Sequence, residues 1–255
     1  FERRLPACGD LDADHTFGHA AGSLAMRHAM DMAREVGMGA VAVRNSTHFG
    51  AAACYALQAA REGFLAFSFT HADALLLSHG GTRAFFGTNP VCFAAPIDGE
   101  EPFCVDMGVS LRNWNWVLQR REAGEAIPPG VAATGAGESA ADPNDARSLF
   151  PIGEHKGYAL AAMVEVLCSL LTGMPFGRDL PPMFTTPMSQ KRHLGHFFMA
   201  IRPEGFVEAA EFPRRMKDLM AAVRSEPPQP GREVMLPGDP EKKARNAASS
   251  SVARC

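Results

Sequence analysis

Residues 38–70 read MGAVAVRNSTHFGAAACYALQAAREGFLAFSFT, and their pattern predicts one strand–helix–strand unit. The small apolar run at 39–43 is typical of a short buried strand, and 51–64 has the composition of a helix. The run LAFSFT at 65–70 predicts the next strand. Alternation of this kind indicates an α/β fold whose strands are buried on both faces. A polar turn, NSTHFG, separates the first strand from the helix.

The same patterns predict the other elements of the chain. The helical pattern at 155–173 is the strongest, and we expect it to be buried because it is apolar on nearly all sides. The proline- and glycine-rich stretch 126–153 predicts an irregular segment. Further helices are expected at 18–38, 111–125 and 210–225, and further strands at 103–110 and 196–201.

The composition narrows the class of protein. With 255 residues, 46% hydrophobic and 21% charged, the chain is long enough for one large domain or two modest ones. A net charge of −3 provides no basic surface for nucleic acid, and no apolar run is long enough to span a membrane. The six cysteines never occur at CxxC spacing and several lie in apolar runs, which favours free thiols, several of them buried, in a reducing compartment. We therefore expect a cytoplasmic protein.

Two short motifs have simple structural interpretations. GAGESA at 135–140 satisfies a dinucleotide-binding pattern, but no strand precedes it and no helix follows, so we predict a loop. HLGH at 193–196 has two histidines, yet at the entry to a strand they would point to opposite faces and could not share a metal ion.

Three polar residues have two open interpretations each. Asp106 ends a predicted strand, where a carboxylate could cap a helix or hold a ribose hydroxyl. Lys156 stands in the first turn of an apolar helix, where it could extend to solvent or bind an anion drawn to the helix N terminus. His48, in the polar turn, could bond only the backbone, or it could move a proton near neutral pH.

Eight segments resemble, in order along the chain, the malate/L-lactate/ureidoglycolate dehydrogenase family, which also includes cyclic-imine 2-carboxylate reductases. The resemblance runs from about residue 8 to about residue 243. One segment alone would not be decisive, whereas eight in order are specific. They are RNSTHFGAAACYA, FGTNPVCFAAP, VDMGVS, IPPGV…ADP, HKGYALAAMVEVL, LTGMPFG, GHFFMAI and EPPQPG…VMLPGDPEKK.

The resemblance implies a family-specific mixed α/β fold without a Rossmann fingerprint, a homodimer, and NAD or NADP as the cofactor. In the family, the histidine of the HFG turn is the acid/base, which assigns that role to His48. A strand-end motif, a helix start and a Pro-Gly segment near the C terminus contact the cofactor. By position, the implied cofactor-binding residues are Asp106, Met107, Gly108, Lys156, Gly238, Asp239 and Pro240.

The implied reaction moves a hydride between nicotinamide and C2 of a small 2-oxo or 2-hydroxy acid of the malate, lactate or ureidoglycolate type. His48 would exchange the proton of the C2 oxygen. Two alternatives stay open: a cyclic-imine 2-carboxylate reductase that uses the same histidine, and a truncated, inactive relative that keeps the dimer-forming and cofactor-binding core.

The chain departs from the family pattern at three places. Relatives begin before the position of Phe1, with a Ser-His-Gly…Arg segment that helps to bind the substrate carboxylate; we expect either that the sequence is a fragment or that this chain lacks the segment. Relatives often read Thr-Asn-Ser-Pro where this chain has THAD at 70–73. The ending NAASSSVARC is unlike the family. The expected organisation is an oxidoreductase core at 1–243 and a disordered or divergent tail at 244–255.

Overall fold

The computed structural model describes residues 1–187 and 189–252, and it shows the expected mixed α/β fold. Its strands are β1 (Glu2–Leu5), β2 (Cys8–Asp12), β3 (Met38–Ser46), β4 (Leu65–Thr70), β5 (Leu76–Leu77), β6 (Ala84–Phe86), β7 (Val91–Ala95), β8 (Phe103–Met107), β9 (Ala132–Ala133), β10 (Ser148–Leu149) and β11 (Leu194–Ile201). Its α-helices are α1 (Gly18–Val36), α2 (Ala53–Ala60), α3 (Trp114–Ala123), α4 (His155–Glu165), α5 (Glu211–Arg224) and α6 (Asp239–Val252).

The main sheet has seven strands in the order β1-β2-β3-β11-β4-β7-β8, and a smaller sheet has the order β6-β5-β10-β9. The predicted strand–helix–strand unit is present as β3, α2 and β4. The two strands are not neighbours, because β11 lies between them and pairs antiparallel with both. A strand from the C-terminal third of the chain therefore completes the centre of the sheet.

Helices cover both faces of the central strands, as alternation in the sequence predicted. Phe198 of β11 packs in the main core with α1 and α2, whereas its neighbour Phe197 packs with Val164 and Cys168 on the other face. Successive side chains of a strand point to opposite faces of the sheet. Phe198 therefore faces the layer of α1 and α2, and Phe197 faces the layer on the other side. Gly195 permits the close approach of the second layer, because a Cβ there would lie 1.8 Å from the carbonyl oxygen of Cys168.

The expectation that the helix at 155–173 is buried is wrong for one of its faces. The segment consists of α4 followed by a π-helical turn at Val166–Leu170. Val164 and Cys168 are buried, but the opposite face exposes large apolar side chains to solvent. They are Met163, Val166, Leu170 and Leu171. The packing of this chain alone therefore leaves part of an apolar helix uncovered.

The C-terminal segment also differs from the expectation. We expected a disordered or divergent tail from residue 244, whereas α6 extends from Asp239 to Val252. Pro240 and the acidic residues of the first turn suit a helix N terminus, and alanine, lysine and arginine follow. Residues 253–255 lie outside the described residues. The boundary proposed at 243 stays a prediction.

The stretch 126–153 is irregular apart from the two-residue strands β9 and β10, as predicted. The GAGESA motif forms a turn after β9, and an isolated β-bridge between Ala133 and Ser139 closes this turn. The motif is therefore a loop, as predicted. Across the described ranges, no helix combines the length and the apolar composition that crossing a membrane requires.

Candidate active site

The turn that carries His48 is fixed between β3 and α1. The amide of Gly18, at the start of α1, donates to Thr47 Oγ1 at 2.9 Å. Gly50 has a φ of +76°, which favours glycine, and a Cβ there would lie 2.4 Å from His19 Nε2. Phe49 is buried in the core and its carbonyl accepts the Tyr55 hydroxyl. The turn thereby buries Phe49 and leaves His48 partly exposed.

The His48 ring is held in one tautomer when neutral. Its Nδ1 accepts the amide N–H of Gly50 at 3.2 Å, so the neutral ring carries its proton on Nε2. Partial burial lowers the pKa of His48 below its usual 6.5, and the positive charges of His19 and Arg192 lower it further. The Asp73 carboxylate has the opposite effect on this pKa. At neutral pH the ring is therefore mostly uncharged.

His48 lines a cavity of about 220 Å³. This volume is below the roughly 300–1,000 Å³ of pockets for drug-sized ligands, and it suits a small molecule. The cavity wall also includes His71, Asp73, Trp114, Phe184 and Arg192. A second cavity of about 1,010 Å³ adjoins the first, because Asp73, Leu75, Trp114 and Phe184 line both.

Asp73 and Arg192 form an ion pair in the wall of the smaller cavity. Arg192 Nη2 donates to Asp73 Oδ1 at 2.9 Å, and the Met183 amide donates to Asp73 Oδ2 at 3.1 Å. Sequence reasoning missed this pair, since Asp73 was only a departure from the family pattern and Arg192 lay among other charged residues. The useful signal was that Asp73 lies in the loop just after the buried strand β4, a position where ligand-binding side chains are common.

His71, in the wall of the cavity, belongs to a network of buried polar residues that also includes Asn89 and Glu165. His71 Nε2 accepts the Gly195 amide at 2.8 Å, so its proton lies on Nδ1, which faces Glu165 Oε1 at 3.7 Å. Glu165 also accepts the amide of Gly177 at 2.7 Å and the side-chain amide of Asn89 at 2.8 Å. The His71 bond joins the segment after β4 to β11, and the Glu165 bonds join α4 to Asn89 and to the turn at 177. Sequence reasoning recognised Asn89 only as a turn residue.

His193 and His196 occupy different environments. His196 is fully buried, stacks on Phe49 and pairs with Thr70 Oγ1 at 2.7 Å. Burial lowers the pKa of His196 to about 3, so the ring is neutral in the folded protein. His193 instead contacts Asn45 and His15. Within the described ranges, no three histidine, cysteine, aspartate or glutamate residues are grouped as metal ligands.

Asp106 stands at the exposed end of β8 and contacts the start of α2. Its Oδ2 accepts the Ala53 amide at 2.9 Å, so the helix-capping interpretation is confirmed. Burial of the carboxyl raises the pKa of Asp106; the bond from Ala53 opposes this rise, and the charge of Glu241 adds to it. Met107 and Gly108 are also exposed, and Gly108 lies beside Thr88, which lines the His48 cavity.

The segment 238–240 lies against β8. Gly238 has a φ of +89°, and a Cβ there would lie 3.2 Å from the Cys104 carbonyl oxygen. The Asp239 carboxylate accepts Arg224 at 2.8 Å and the Leu236 amide at 3.0 Å, and the Arg224 bond is the largest cause of its lowered pKa. Asp239 thus holds the start of α6. Pro240 follows it in the first turn.

Lys156 is exposed in the first turn of α4. The residue beside this turn, Ile152, donates its amide to the Val109 carbonyl at 2.9 Å, which joins the helix start to the end of the Asp106-Met107-Gly108 segment. The structure therefore brings the start of α4, the end of β8 and the wall of the His48 cavity into one region. Residues 238–240 lie next to the same region, because Gly238 packs against Cys104 of β8.

Comparisons with known proteins identify relatives of the chain. The chain is 33% identical over 253 residues to ureidoglycolate dehydrogenase (NAD(+)) of Escherichia coli, covering 98% of this chain and 72% of that protein. It is 36% identical over 233 residues to a malate dehydrogenase of Pyrococcus abyssi, covering 88% of this chain and 63% of that one.

Solved structures show the same fold. Malate dehydrogenase from Entamoeba histolytica superposes with a TM-score of 0.88 at 30% identity, over 96% of this chain and 72% of that one. Delta1-piperideine-2-carboxylate reductase from Pseudomonas syringae gives a TM-score of 0.85 at 30% identity, over 97% and 74%. The family profile described as malate/L-lactate dehydrogenase matches residues 1–251. The chain therefore belongs to the malate/L-lactate dehydrogenase family.

Proposed function

We propose that the chain is an NAD(P)-dependent oxidoreductase that interconverts a small 2-hydroxy acid and its 2-oxo acid, with His48 as the acid/base. The observation that carries the proposal is the position of His48, a histidine of lowered pKa held in one tautomer at the wall of a small cavity. Membership of a dehydrogenase family supports it, as do relatives named for NAD(+) or NADP(+).

His48 transfers one proton in each direction of this reaction. Bound nicotinamide supplies the hydride that C2 gains in reduction and accepts it in oxidation. In reduction, protonated His48 gives its Nδ1 proton to the C2 oxygen; in oxidation, neutral His48 takes the hydroxyl proton on Nδ1, its unprotonated nitrogen. The charged ring carries protons on both nitrogens, so forming it breaks the bond from Gly50 to Nδ1. The turn therefore favours the neutral ring.

The residues around β8 fit a nicotinamide dinucleotide. Asp106 bonds Ala53 through Oδ2, and a carboxylate has further acceptor sites that suit ribose hydroxyls. Met107 and Gly108 leave an exposed strand end for the cofactor. Lys156, exposed at a helix N terminus, offers a cation for a phosphate. We assign cofactor binding to these four residues.

The last part of the proposed cofactor site is the segment formed by Gly238, Asp239 and Pro240. This segment contributes its backbone. Because Arg224 and the Leu236 amide occupy the Asp239 carboxylate, Asp239 acts by holding the backbone of the segment in place. Gly238, packed on Cys104 without a side chain, is the residue of the segment that lets a ligand approach the backbone. Glu241 raises the pKa of Asp106, so the start of α6 lies near that carboxylate.

We further propose that the protein is a cytoplasmic homodimer. Met163, Val166, Leu170 and Leu171 recur at spacings of three, four, seven and eight residues, so they form one exposed apolar stripe on α4 and the π-helical turn. Such stripes mark protein–protein interfaces. Buried free thiols at Cys92, Cys104 and Cys168 suit a reducing compartment.

Reduction of a cyclic imine 2-carboxylate is the second candidate. The likeness to delta1-piperideine-2-carboxylate reductase favours it, and His48 could donate its proton to the imine nitrogen instead of to oxygen. The discriminating experiment measures NADH and NADPH oxidation with pyruvate, oxaloacetate, oxalurate and piperideine-2-carboxylate. Turnover of a 2-oxo acid supports the main proposal, and turnover of the imine alone supports the second. Folded protein inactive on all four would indicate an inactive relative.

A further inference from the structure

The larger of the two cavities has a positively charged wall. Its lining includes three arginines from three separate segments of the chain, Arg83, Arg147 and Arg178. Among the lining residues that the structure describes, Asp73 is the one carboxylate, and Arg192 already compensates its charge. This cavity is therefore basic, although the chain as a whole has a net charge of −3.

The three guanidinium groups are available to a ligand. All three arginines are exposed, and none of them forms an ion pair with a carboxylate in the described part of the chain. Charges of one sign around a cavity raise the local concentration of ions of the opposite sign. The cavity therefore attracts anions.

Two of the arginines are held in place by contacts that leave N–H donors free. Arg147 Nη1 donates to the carbonyls of Asn144 at 2.7 Å and Ala146 at 2.9 Å, whereas its Nε and Nη2 have no acceptor within the described ranges. The guanidinium of Arg178 lies over the ring of Phe85, 5.5 Å from its centre, in a cation–π contact. Groups that are held before binding lose less conformational entropy when a ligand arrives.

Two glycine-containing turns form another part of the wall. Gly81 and Gly135 line the cavity, and Gly135 belongs to the GAGESA motif. Gly137 has a φ of +81°, and a Cβ there would lie 3.1 Å from the Gly81 carbonyl oxygen, so glycine lets the two turns pack closely. This packing supports the turn that precedes Arg83.

We propose that the larger cavity binds a small molecule that carries a di- or triphosphate group, either free or esterified. A guanidinium can donate two parallel N–H bonds to one phosphate, and this geometry favours arginine over lysine. Three guanidinium groups from separate segments suit an anion with several charged groups, whereas a single carboxylate could pair with only one of them. The volume of about 1,010 Å³ is ample for such a molecule.

The proposed anion site is separate from the sites of the proposed reaction. Neither His48 nor any residue assigned to the cofactor is among its described lining residues. The two cavities share only part of their walls, including Asp73 and Trp114. Anion binding can be measured without turnover, so its test does not depend on the proposed function.

The test measures binding of inorganic triphosphate and of uridine diphosphate to the full chain by isothermal titration calorimetry. Each should bind at one site per chain with a dissociation constant below about 1 mM. Arg83→Gln, Arg147→Gln and Arg178→Gln should each weaken binding by about tenfold, because each removes a charge-assisted hydrogen bond. Tighter binding of uridine diphosphate would identify an esterified ligand, and tighter binding of triphosphate a free one.

Arg27→Gln is the matched control. Arg27 is likewise exposed and has no ion pair within the described residues, but it lies on α1, outside both cavities. This variant should bind both anions as wild type does. Thermal unfolding shows whether each variant is folded. Arg83→Gln is the safest of the cavity variants, because the Arg83 side chain has no partner in the described part of the chain.

Three results would overturn the inference. The first is no binding of either anion at about 1 mM, and the second is binding that the cavity variants retain or that Arg27→Gln weakens equally. The third comes from titrations repeated with saturating NADPH, which should leave binding unchanged. Displacement by NADPH would make the arginines part of the cofactor site. Should Arg147→Gln not fold, Arg83→Gln and Arg178→Gln still decide.

Discussion

Asp106 Oδ2 accepts a 2.9 Å hydrogen bond from the main-chain amide of Ala53, the first residue of α2. A strand-end carboxylate thereby fixes the start of the helix that follows the His48 turn. The sequence left a choice between a helix cap and a ribose ligand at this position. The two roles are compatible, because one carboxylate offers acceptor sites beyond the one that Ala53 occupies.

Asp106→Asn should weaken cofactor binding without unfolding the protein. The amide oxygen can still accept the Ala53 N–H, but the charge that strengthens bonds to ribose hydroxyls is lost. We expect the dissociation constant of NADH or NADPH, measured by nicotinamide fluorescence, to rise by about tenfold. Asp142→Asn, in an exposed loop, is the control. An unchanged affinity in Asp106→Asn would remove this residue from the cofactor site.

The pH dependence of turnover should report the lowered pKa of His48. Reduction needs the protonated ring, so its kcat/KM should fall as pH rises through a value below 6.5. Oxidation needs the neutral ring, so its kcat/KM should rise over the same interval and level off by neutral pH. Arg192→Gln should move both profiles to higher pH, because Arg192 lowers this pKa. Profiles centred above 6.5 would contradict the assignment.

Buried His196 should make stability depend on pH. Its pKa is about 3 in the folded protein and near 6.5 when unfolded, so the unfolded chain binds the extra proton between those values. The free energy of unfolding should be highest above pH 6.5 and should fall as pH drops, by up to about 1.4 kcal/mol per unit from this residue.

Urea unfolding of wild type and His196→Phe between pH 4 and 7.5 measures that contribution. The phenylalanine ring can keep the stacking on Phe49, and the variant should lose part of the slope. Exposed His79→Phe serves as the control and should keep the wild-type slope. Equal slopes for wild type and His196→Phe would show that His196 is not neutral in the folded state.

Much of the fold could be predicted from local sequence patterns. Less of the candidate site could be predicted in this way. The bounds of β4 and the helix α2 were predictable because their periodicity is local. The insertion of β11 between β3 and β4 was not, since it joins distant parts of the chain. The Asp73–Arg192 pair spans 119 residues, and its partners can be recognised only after the sheet has formed. The uncovered stripe on α4 was mistaken for core because periodicity alone does not show which faces of an apolar helix the rest of the chain covers.

The stripe on α4 and the π-helical turn should hold two copies of the chain together. Leu170→Asp places a charge in the stripe, where the leucine is 59% exposed, and should convert a dimer into a monomer. Leu219→Asp is the matched control, because Leu219 is 54% exposed on α5, outside the stripe. Light scattering after size exclusion gives the masses. A dimer that persists in Leu170→Asp would place the interface elsewhere.

The most direct test of the account is the turnover of His48→Asn. An asparagine oxygen can still accept the Gly50 amide two residues ahead, so the turn is kept while the titrating ring is removed. We predict that kcat falls by about 10²- to 10⁴-fold while the dissociation constant for NADH or NADPH stays nearly unchanged. Turnover at the wild-type rate in this variant would contradict the role of His48 as the acid/base.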